Sequence, residues 1–249
     1  RGSTGRRRGP QDPAPPGPWA GVLLRSPLAW GLAVAFGMNS MNTYVLFAWL
    51  PSLLTDVGLD PGDAARRLAL FAALGLPSAL VVPVLAERVR RPFVIVALFC
   101  GCLVGGYVGL LVAPTTALWV WVVLLGVGPG TFPLLLTLVN LRTRTPAAST
   151  ALSGFVQGAG YALAAPGPVL VGLLHVGTGG WTAVLVVLVV SVGVLLGAGW
   201  FACRPVMLED APRPGTGRTP GTGRARGGTG RARGGCRAGD RYPGPRDSR

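Results

Sequence analysis

Six apolar segments dominate this sequence, and each approaches the roughly 20 residues that a helix needs to cross a bilayer. They lie near residues 28–54, 66–86, 93–112, 116–140, 149–174 and 181–203, and short polar connections separate them. No Asp, Glu, His, Lys or Arg lies in the middle of any segment. The pattern predicts an all-α membrane protein, built as a bundle of six transmembrane helices.

The overall composition agrees with this prediction. Half of the residues are hydrophobic and 13% are charged, whereas soluble domains carry about 25% charged residues. The mean hydropathy is +0.50. Every basic residue is an arginine, which we interpret as a coding bias rather than a physical requirement.

The sequence divides into three regions: a lead over 1–25, the six-span unit over 26–204 and a tail over 205–249. The lead is rich in Arg, Gly and Pro, so we expect it to be disordered. Arg6–Arg8 precede prolines rather than an apolar run, which argues against a signal peptide. Because the chain begins with Arg1 and not with Met, we expect a fragment, a processed product or a misassigned start.

The tail repeats TGRARGG at 222–228 and 229–235. RNA binding by Arg-Gly segments is one functional interpretation of this repeat. Attraction to anionic lipid is another. Arginine runs are more often solvated than functional, so we favour a disordered, solvated tail without a specific nucleic-acid partner.

Arginines are distributed unevenly between the two sides that six spans create. One side holds only Arg66 and Arg67, beside Asp56, Asp60 and Asp63. The other side holds Arg25, Arg88, Arg90, Arg91, Arg142, Arg144 and Arg204. Because basic residues concentrate in cytoplasmic loops, we expect both termini to be cytoplasmic.

Polar residues cluster in the first span, in the stretch FGMNSMNTY over 36–44. Asn39 and Thr43 are four residues apart and share a helix face, and Asn42, Tyr44 and Trp49 lie close by. Polar side chains in hydrocarbon usually face a wet cavity or another helix. These five residues are therefore candidates for lining a substrate path, and interhelical hydrogen bonding is the equal alternative.

The fifth span repeats this pattern with Gln157 and Tyr161, again four residues apart. They are further lining candidates, with a structural hydrogen bond as the alternative. Gly154 and Gly158 form a small face that allows another helix to approach closely.

Enzyme signatures are weak throughout the chain. His175 is the single histidine, so no zinc site of the usual kinds can form. Cys100 and Cys102 point to different faces of a helix, which favours a packing role. The glycines of 126–130 lack the strand and downstream acid of a dinucleotide fingerprint. We therefore predict no enzyme activity, no cofactor and no metal.

Four stretches together resemble the carboxyl-terminal half of a major facilitator superfamily transporter, and most closely the bacterial cyanate and nitroimidazole permease family. The first two are NSMNTYVLFAWLPSLL in the first span and LAERVRRP after the second. The others are GVGPGTFPLLLTLVNLRTRTP in the fourth span and LSGFVQGAGYALAAPGPVLVGLLHVGTGGW from the fifth into the sixth. The resemblance covers Ser26 to about Arg204.

This resemblance implies twelve helices in two halves, with a small solute held between the halves at mid-membrane. The solute would be a cyanate-like anion or a small polar heterocycle, carried by alternating access across a bacterial inner membrane. The first and fourth spans would line the path, which implicates Asn39, Asn42, Tyr44, Trp49, Phe132, Thr137 and Asn140. The missing amino-terminal half would be the partner. A six-span homodimer, a nonfunctional fragment and a non-transporting membrane scaffold are the alternatives.

Overall fold

The computed structural model describes residues 19–89 and 91–210, and every regular element within these ranges is helical. The α-helices are α1 (Ala20–Arg25), α2 (Pro27–Asp56), α3 (Pro61–Ala73), α4 (Gly75–Arg88), α5 (Pro92–Val112), α6 (Leu118–Val127), α7 (Thr131–Leu141), α8 (Pro146–Ala164), α9 (Gly167–Thr178) and α10 (Thr182–Ala202). Two 3-10 turns add Gly128–Gly130 and Leu208–Asp210.

These helices build the six predicted spans. The first, third and sixth spans are α2, α5 and α10. The second joins α3 to α4, the fourth joins α6 to α7, and the fifth joins α8 to α9. Five spans in the described part of the chain are long and apolar enough to cross a membrane. The first span, α2, has 30 residues but is not among the five. The predicted all-α membrane fold is confirmed.

Four spans begin with a proline at the first helical position, directly after the N-cap residue. Pro27, Pro61 and Pro146 follow Ser26, Asp60 and Thr145, whose side chains each accept a hydrogen bond from a backbone N–H group of the first turn. Pro92 opens α5 after Arg91, which gives no side-chain cap. Proline fits this place because its missing N–H is not needed there, so the loop sequences themselves fix where the helices start.

Helix α2 is the central element and packs against α3, α7, α8, α9 and α10. Most of its amino-terminal half is buried, with Leu32, Ala33, Ala35 and Phe36 completely inaccessible, although Trp30 remains 42% exposed. Polar side chains on the buried faces of this helix are shielded from lipid by the neighbouring helices. The helix also continues past Pro51 to Asp56, so that proline does not end it.

The fourth span is interrupted by the 3-10 turn Gly128–Gly130. A side chain at Gly128 would collide with Leu103, and one at Gly130 would lie 2.6 Å from the Phe99 ring. Leu103 and Phe99 both belong to α5. The glycines therefore allow the fourth span to approach the third closely, and the turn bends the span where it does so.

The ordered unit extends slightly beyond the predicted limits at both ends. Helix α1 lies inside the predicted lead and buries Val22 and Leu23, because its apolar residues find cover against α2 and α8. Residues 205–210 belong to the predicted tail, yet they fold back onto the bundle with Leu208 only 1% exposed. The rest of the predicted lead and tail lies outside the described residues.

The turn Leu208–Asp210 closes over the loop between α7 and α8. Leu208 N–H donates to the carbonyl of Arg142 at 3.0 Å. The guanidinium of Arg144 pairs with the Asp210 carboxylate at 3.0 Å. Burial alone would raise the pKa of Glu209, but hydrogen bonds from backbone N–H groups, including those of Arg144 and Thr145, lower it. The charged carboxylate thus joins two loops at the arginine-rich end of the bundle.

Gly37→Ala is expected to destabilise the bundle, because a Cβ there would lie 2.9 Å from the carbonyl oxygen of Gly160. Overpacking of this kind costs about 1–3 kcal/mol. Gly158→Ala is the matched control, since that position faces open space and replacing a helical glycine gains about 0.5–1 kcal/mol. Thermal unfolding in detergent should shift down for Gly37→Ala only. Equal shifts for both variants would contradict the close packing of α2 on α8.

Candidate functional site

A cavity of about 300 Å³ lies beside the middle of α2. It is bordered by four spans, the first, second, fourth and fifth, and neither the third nor the sixth contributes to it. We refer to it as the central cavity; it is lined by Asn39, Ser40, Thr43, Tyr44, Gly75, Ser78, Ala79, Pro129, Gly130, Phe132, Pro133 and Tyr161.

Half of the sequence-predicted lining residues meet at this cavity. They are Asn39, Thr43 and Tyr44 from the first span, Phe132 from the fourth and Tyr161 from the fifth. They are far apart in the sequence, and the packing of α7 and α8 against α2 brings them together. The structure therefore joins two groups of candidates that sequence reasoning had treated separately.

Two polar side chains on α2 are buried without a hydrogen-bond partner at the central cavity. They are the amide carbonyl Oδ1 of Asn39 and the hydroxyl Oγ of Ser40. Asn39 is 1% exposed and Ser40 is 3% exposed. A buried polar atom without a partner costs about 1–3 kcal/mol. These atoms are consequently available to a molecule that enters the cavity with hydrogen-bonding groups of its own.

Aromatic rings also line the central cavity, where Tyr44, Phe132 and Tyr161 form an aromatic wall. The ring of Tyr161 stacks beside that of Tyr44 with 6.4 Å between centroids. Phe36 supports Tyr161 and Phe132 from behind, at 5.1 and 5.2 Å. Tyr44 and Tyr161 are 43% and 38% exposed, respectively, so this wall reaches the surface of the described bundle.

The sequence analysis did not identify the residues that the second span and the 3-10 turn of the fourth span contribute to the central cavity. Gly75 and Ser78 lie in an apolar stretch where no periodic signal marks them. Pro129 and Gly130 lie in the stretch that the sequence analysis considered as a dinucleotide fingerprint, and in the structure they form part of the cavity wall. Ser40 stood inside the polar cluster of the first span and was the one residue that pattern reading could have added.

Asn42 differs from the prediction because it does not reach the central cavity. Its Nδ2 donates to Ser191 Oγ at 2.9 Å and to the carbonyl of Met38 at 2.8 Å. Its Oδ1 accepts from the Tyr107 hydroxyl at 2.8 Å. Asn42 and Tyr107 are both completely buried. Of the two alternatives for Asn42, the structure favours the interhelical hydrogen bond, here linking the first span to the third and sixth.

Four other candidates also lie away from the cavity, each with a hydrogen bond of its own. The Trp49 indole N–H donates to the carbonyl of Pro168 at 2.9 Å. Thr137 donates to Pro133, Asn140 accepts from Ser149, and Gln157 donates to Ser153. These hydrogen bonds satisfy the polar groups of all four side chains outside the cavity. Helix spacing had suggested Trp49 and Gln157, and the family resemblance had suggested Thr137 and Asn140.

The lining of the central cavity carries no formal charge among the described residues. Its hydrogen-bonding groups are amides, hydroxyls and phenols. In the same part of the chain, no cluster of His, Cys, Asp and Glu could hold a metal ion. The geometry therefore suits reversible binding of a small, polar and largely uncharged molecule, with aromatic faces for stacking.

Comparison with known proteins places this geometry in context. Residues 2–165 match the Major Facilitator Superfamily. The chain is 37% identical over 184 residues to an uncharacterized transporter, YycB, of Bacillus subtilis strain 168. It is 36% identical over 167 residues to the 2-nitroimidazole transporter of Escherichia coli K12. It is 32% identical over 156 residues to the cyanate transport protein CynX of the same strain.

These alignments cover 73%, 66% and 61% of this chain, respectively. They cover 46%, 42% and 40% of the three relatives. The chain thus spans less than half the length of each of these three relatives. All three relatives carry names of transporters, and none is named as an enzyme.

Asn42→Leu is expected to destabilise the bundle by about 1–3 kcal/mol, since it leaves the buried Tyr107 hydroxyl without its acceptor. The matched control is Asn140→Leu, the same change at an exposed position, which should stay within about 0.5 kcal/mol. Chemical or thermal unfolding of the purified chain in detergent measures both. If Asn42→Leu is as stable as the control, the hydrogen-bond network does not hold the three spans together.

Proposed function

Because this chain belongs to the Major Facilitator Superfamily, we propose that it forms the carboxyl-terminal half of a secondary transporter that moves a small polar solute by alternating access. The central cavity is the part of the solute site that this half contributes. The unpartnered atoms of Asn39 and Ser40 are the observation that carries the proposal. Asn42, on the same helix, has hydrogen-bond partners within the chain for both of its amide atoms, whereas Asn39 Oδ1 and Ser40 Oγ have none and border the cavity.

The solute class we favour is a small polar heterocycle. Tyr44, Phe132 and Tyr161 offer ring faces for stacking, while Asn39 and Ser40 offer hydrogen bonds. The relative that is named a 2-nitroimidazole transporter is consistent with such a solute. A cyanate-like anion is the second candidate, suggested by the relative named for cyanate. It requires a positive group from outside the described lining, which is neutral.

An amino-terminal half is the proposed partner, and it would cover the exposed wall of the cavity. Tyr44 and Tyr161 reach the surface there. On the fifth span Gly154 and Gly158 face open space, which leaves room for a closely packed helix. On the second span Leu76 and Leu80 are 71% and 76% exposed. A second copy of this chain is the alternative partner, and it predicts uptake by this chain expressed alone.

For the orientation we propose cytoplasmic termini in a bacterial inner membrane, on the basis of the arginine distribution. A reporter fused after Gly177 should then be active outside the cytoplasm, and one fused after Arg144 inside it. The described salt bridges agree with a division of the bundle into two polar ends. Arg66 pairs with Asp63 at one end, and Arg144 pairs with Asp210 in a different loop. Reversed reporter signals would overturn the orientation.

Asn39→Leu tests the solute site directly in the transporter that contains both halves. Uptake of 2-nitroimidazole should fall at least tenfold, because a good hydrogen bond to the solute is worth about 1.4 kcal/mol or more. Stability should be unchanged or slightly raised, since the change removes an unpartnered buried atom.

The matched control is Asn42→Leu, three residues away on the same helix. This change lowers stability because it removes the interhelical hydrogen bonds of Asn42. Uptake is therefore compared per correctly folded transporter in the membrane. If Asn39→Leu keeps normal uptake, the central cavity is not the solute site. If Asn39→Leu also lowers stability as Asn42→Leu does, Asn39 acts in packing.

A further inference from the structure

A second and larger cavity lies at the arginine-rich end of the bundle, away from the central cavity. Its volume is about 670 Å³. It lies between the end of α4, the start of α5 and the ends of α7 and α10. We refer to it as the arginine cavity; its described lining is Ala86, Val89, Arg91, Pro92, Phe93, Val94, Leu138, Leu141, Arg142, Trp200, Cys203, Arg204 and Pro205.

Arg142 is the innermost of the three arginines. One guanidinium nitrogen donates to the carbonyl of Cys203 at 2.8 Å. Its Nε is buried and has no hydrogen-bond partner. Burial lowers the pKa of Arg142 from its ordinary value, with the neighbouring Cys203 acting in the opposite direction. A partly buried cation with a free donor is incomplete without an acceptor, and an anion would supply one.

Arg204 and Arg91 complete the charged side of the arginine cavity. The Arg204 guanidinium lies over the rings of Trp200 and Phe201, at 4.2 and 4.6 Å from their centroids. This stacking holds the charge at the cavity mouth. Arg91 stands at the amino terminus of α5, a 21-residue helix without a side-chain cap there. The partial positive charge of that helix end adds to the three arginines.

No acidic side chain balances these arginines within the described lining. Asp210, which shares a neighbouring groove with Arg204, is already paired with Arg144 at 3.0 Å. Three guanidinium groups around one cavity, without a described counter-charge, create a strong preference for an anion with several oxygen acceptors.

The remaining walls are apolar and continue onto the outer surface of the third and sixth spans. Val94 and Leu98 follow each other on one face of α5 and are 59% and 63% exposed. On α10, Gly193 and Gly197 share the face of Trp200 and face open space, so they form a shallow groove below it. Neither span borders the central cavity, so the second half that we propose there would leave this surface to lipid; this step rests on the proposed function.

We propose that the arginine cavity binds the phosphate headgroup of an anionic glycerophospholipid, with the acyl chains along the outer faces of α5 and α10. The charged side chains lie where a headgroup lies, at the end of the spans, and apolar surface continues from them in the direction of the bilayer interior. Basic pockets between transmembrane helices recognise such headgroups. A free phosphate would use the three arginines but would leave the adjoining apolar groove without a role.

The test uses the purified full chain in a neutral detergent with added dioleoylphosphatidylglycerol, and native mass spectrometry counts the lipid retained. Arg91→Gln and Arg204→Gln should each weaken retention about fivefold, the effect of one arginine near an anionic headgroup. Both side chains are exposed, so neither change should unfold the chain. Arg142 is left intact because it also holds Cys203.

Arg66→Gln, the same loss of charge in helix α3 at a distance from the arginine cavity, is the matched control and should leave retention unchanged. Arginines beyond residue 210 are common to all variants, so the difference between variants is the readout. Dioleoylphosphatidylcholine and inorganic phosphate serve as comparison ligands, and weaker binding of both supports the proposal. The proposal is overturned if phosphatidylcholine is retained equally, if phosphate competes fully at equal concentration, or if Arg91→Gln and Arg204→Gln behave like Arg66→Gln.

Discussion

A polar side chain in the hydrocarbon region needs a hydrogen-bond partner, and this requirement governs the central helix of the bundle. Helix α2 carries its polar cluster because other helices shield it from lipid. Asn42 meets the requirement within the chain, through Tyr107 and Ser191. Asn39 and Ser40 do not meet it. The difference between these neighbours separates the part of α2 that holds the spans together from the part we assign to the solute.

The helices approach each other closely where glycines remove the side chains between them. These close contacts determine where the cavities can form. Gly37 and Gly160 bring α2 and α8 together, while Gly128 and Gly130 bring the fourth span against α5. With these contacts tight, space remains between α2, the second span and the 3-10 turn of the fourth span, whose residues line the central cavity. The central cavity is thus a consequence of which helix faces can approach and which cannot.

Much of the fold could be predicted from the sequence, because spans in a membrane are marked by long apolar segments and by prolines at their starts. Burial could not be predicted, since it depends on which helices meet. Spacing put Asn39 and Asn42 in one candidate set, yet they lie on differently packed sides of α2. Likewise, no signal in the sequence marked Ser78, which becomes a lining residue only when α4 packs against the fourth span.

The most direct measurement of the central claim is chemical protection at Ser40. A Ser40→Cys variant of the transporter, in a background without other cysteines, would be treated with N-ethylmaleimide in the presence and absence of 2-nitroimidazole. Thr150→Cys, exposed on the same bundle but outside the cavity, is the control. The account predicts that the solute slows modification of Ser40→Cys and leaves Thr150→Cys unaffected. Equal rates at Ser40→Cys with and without solute would contradict it.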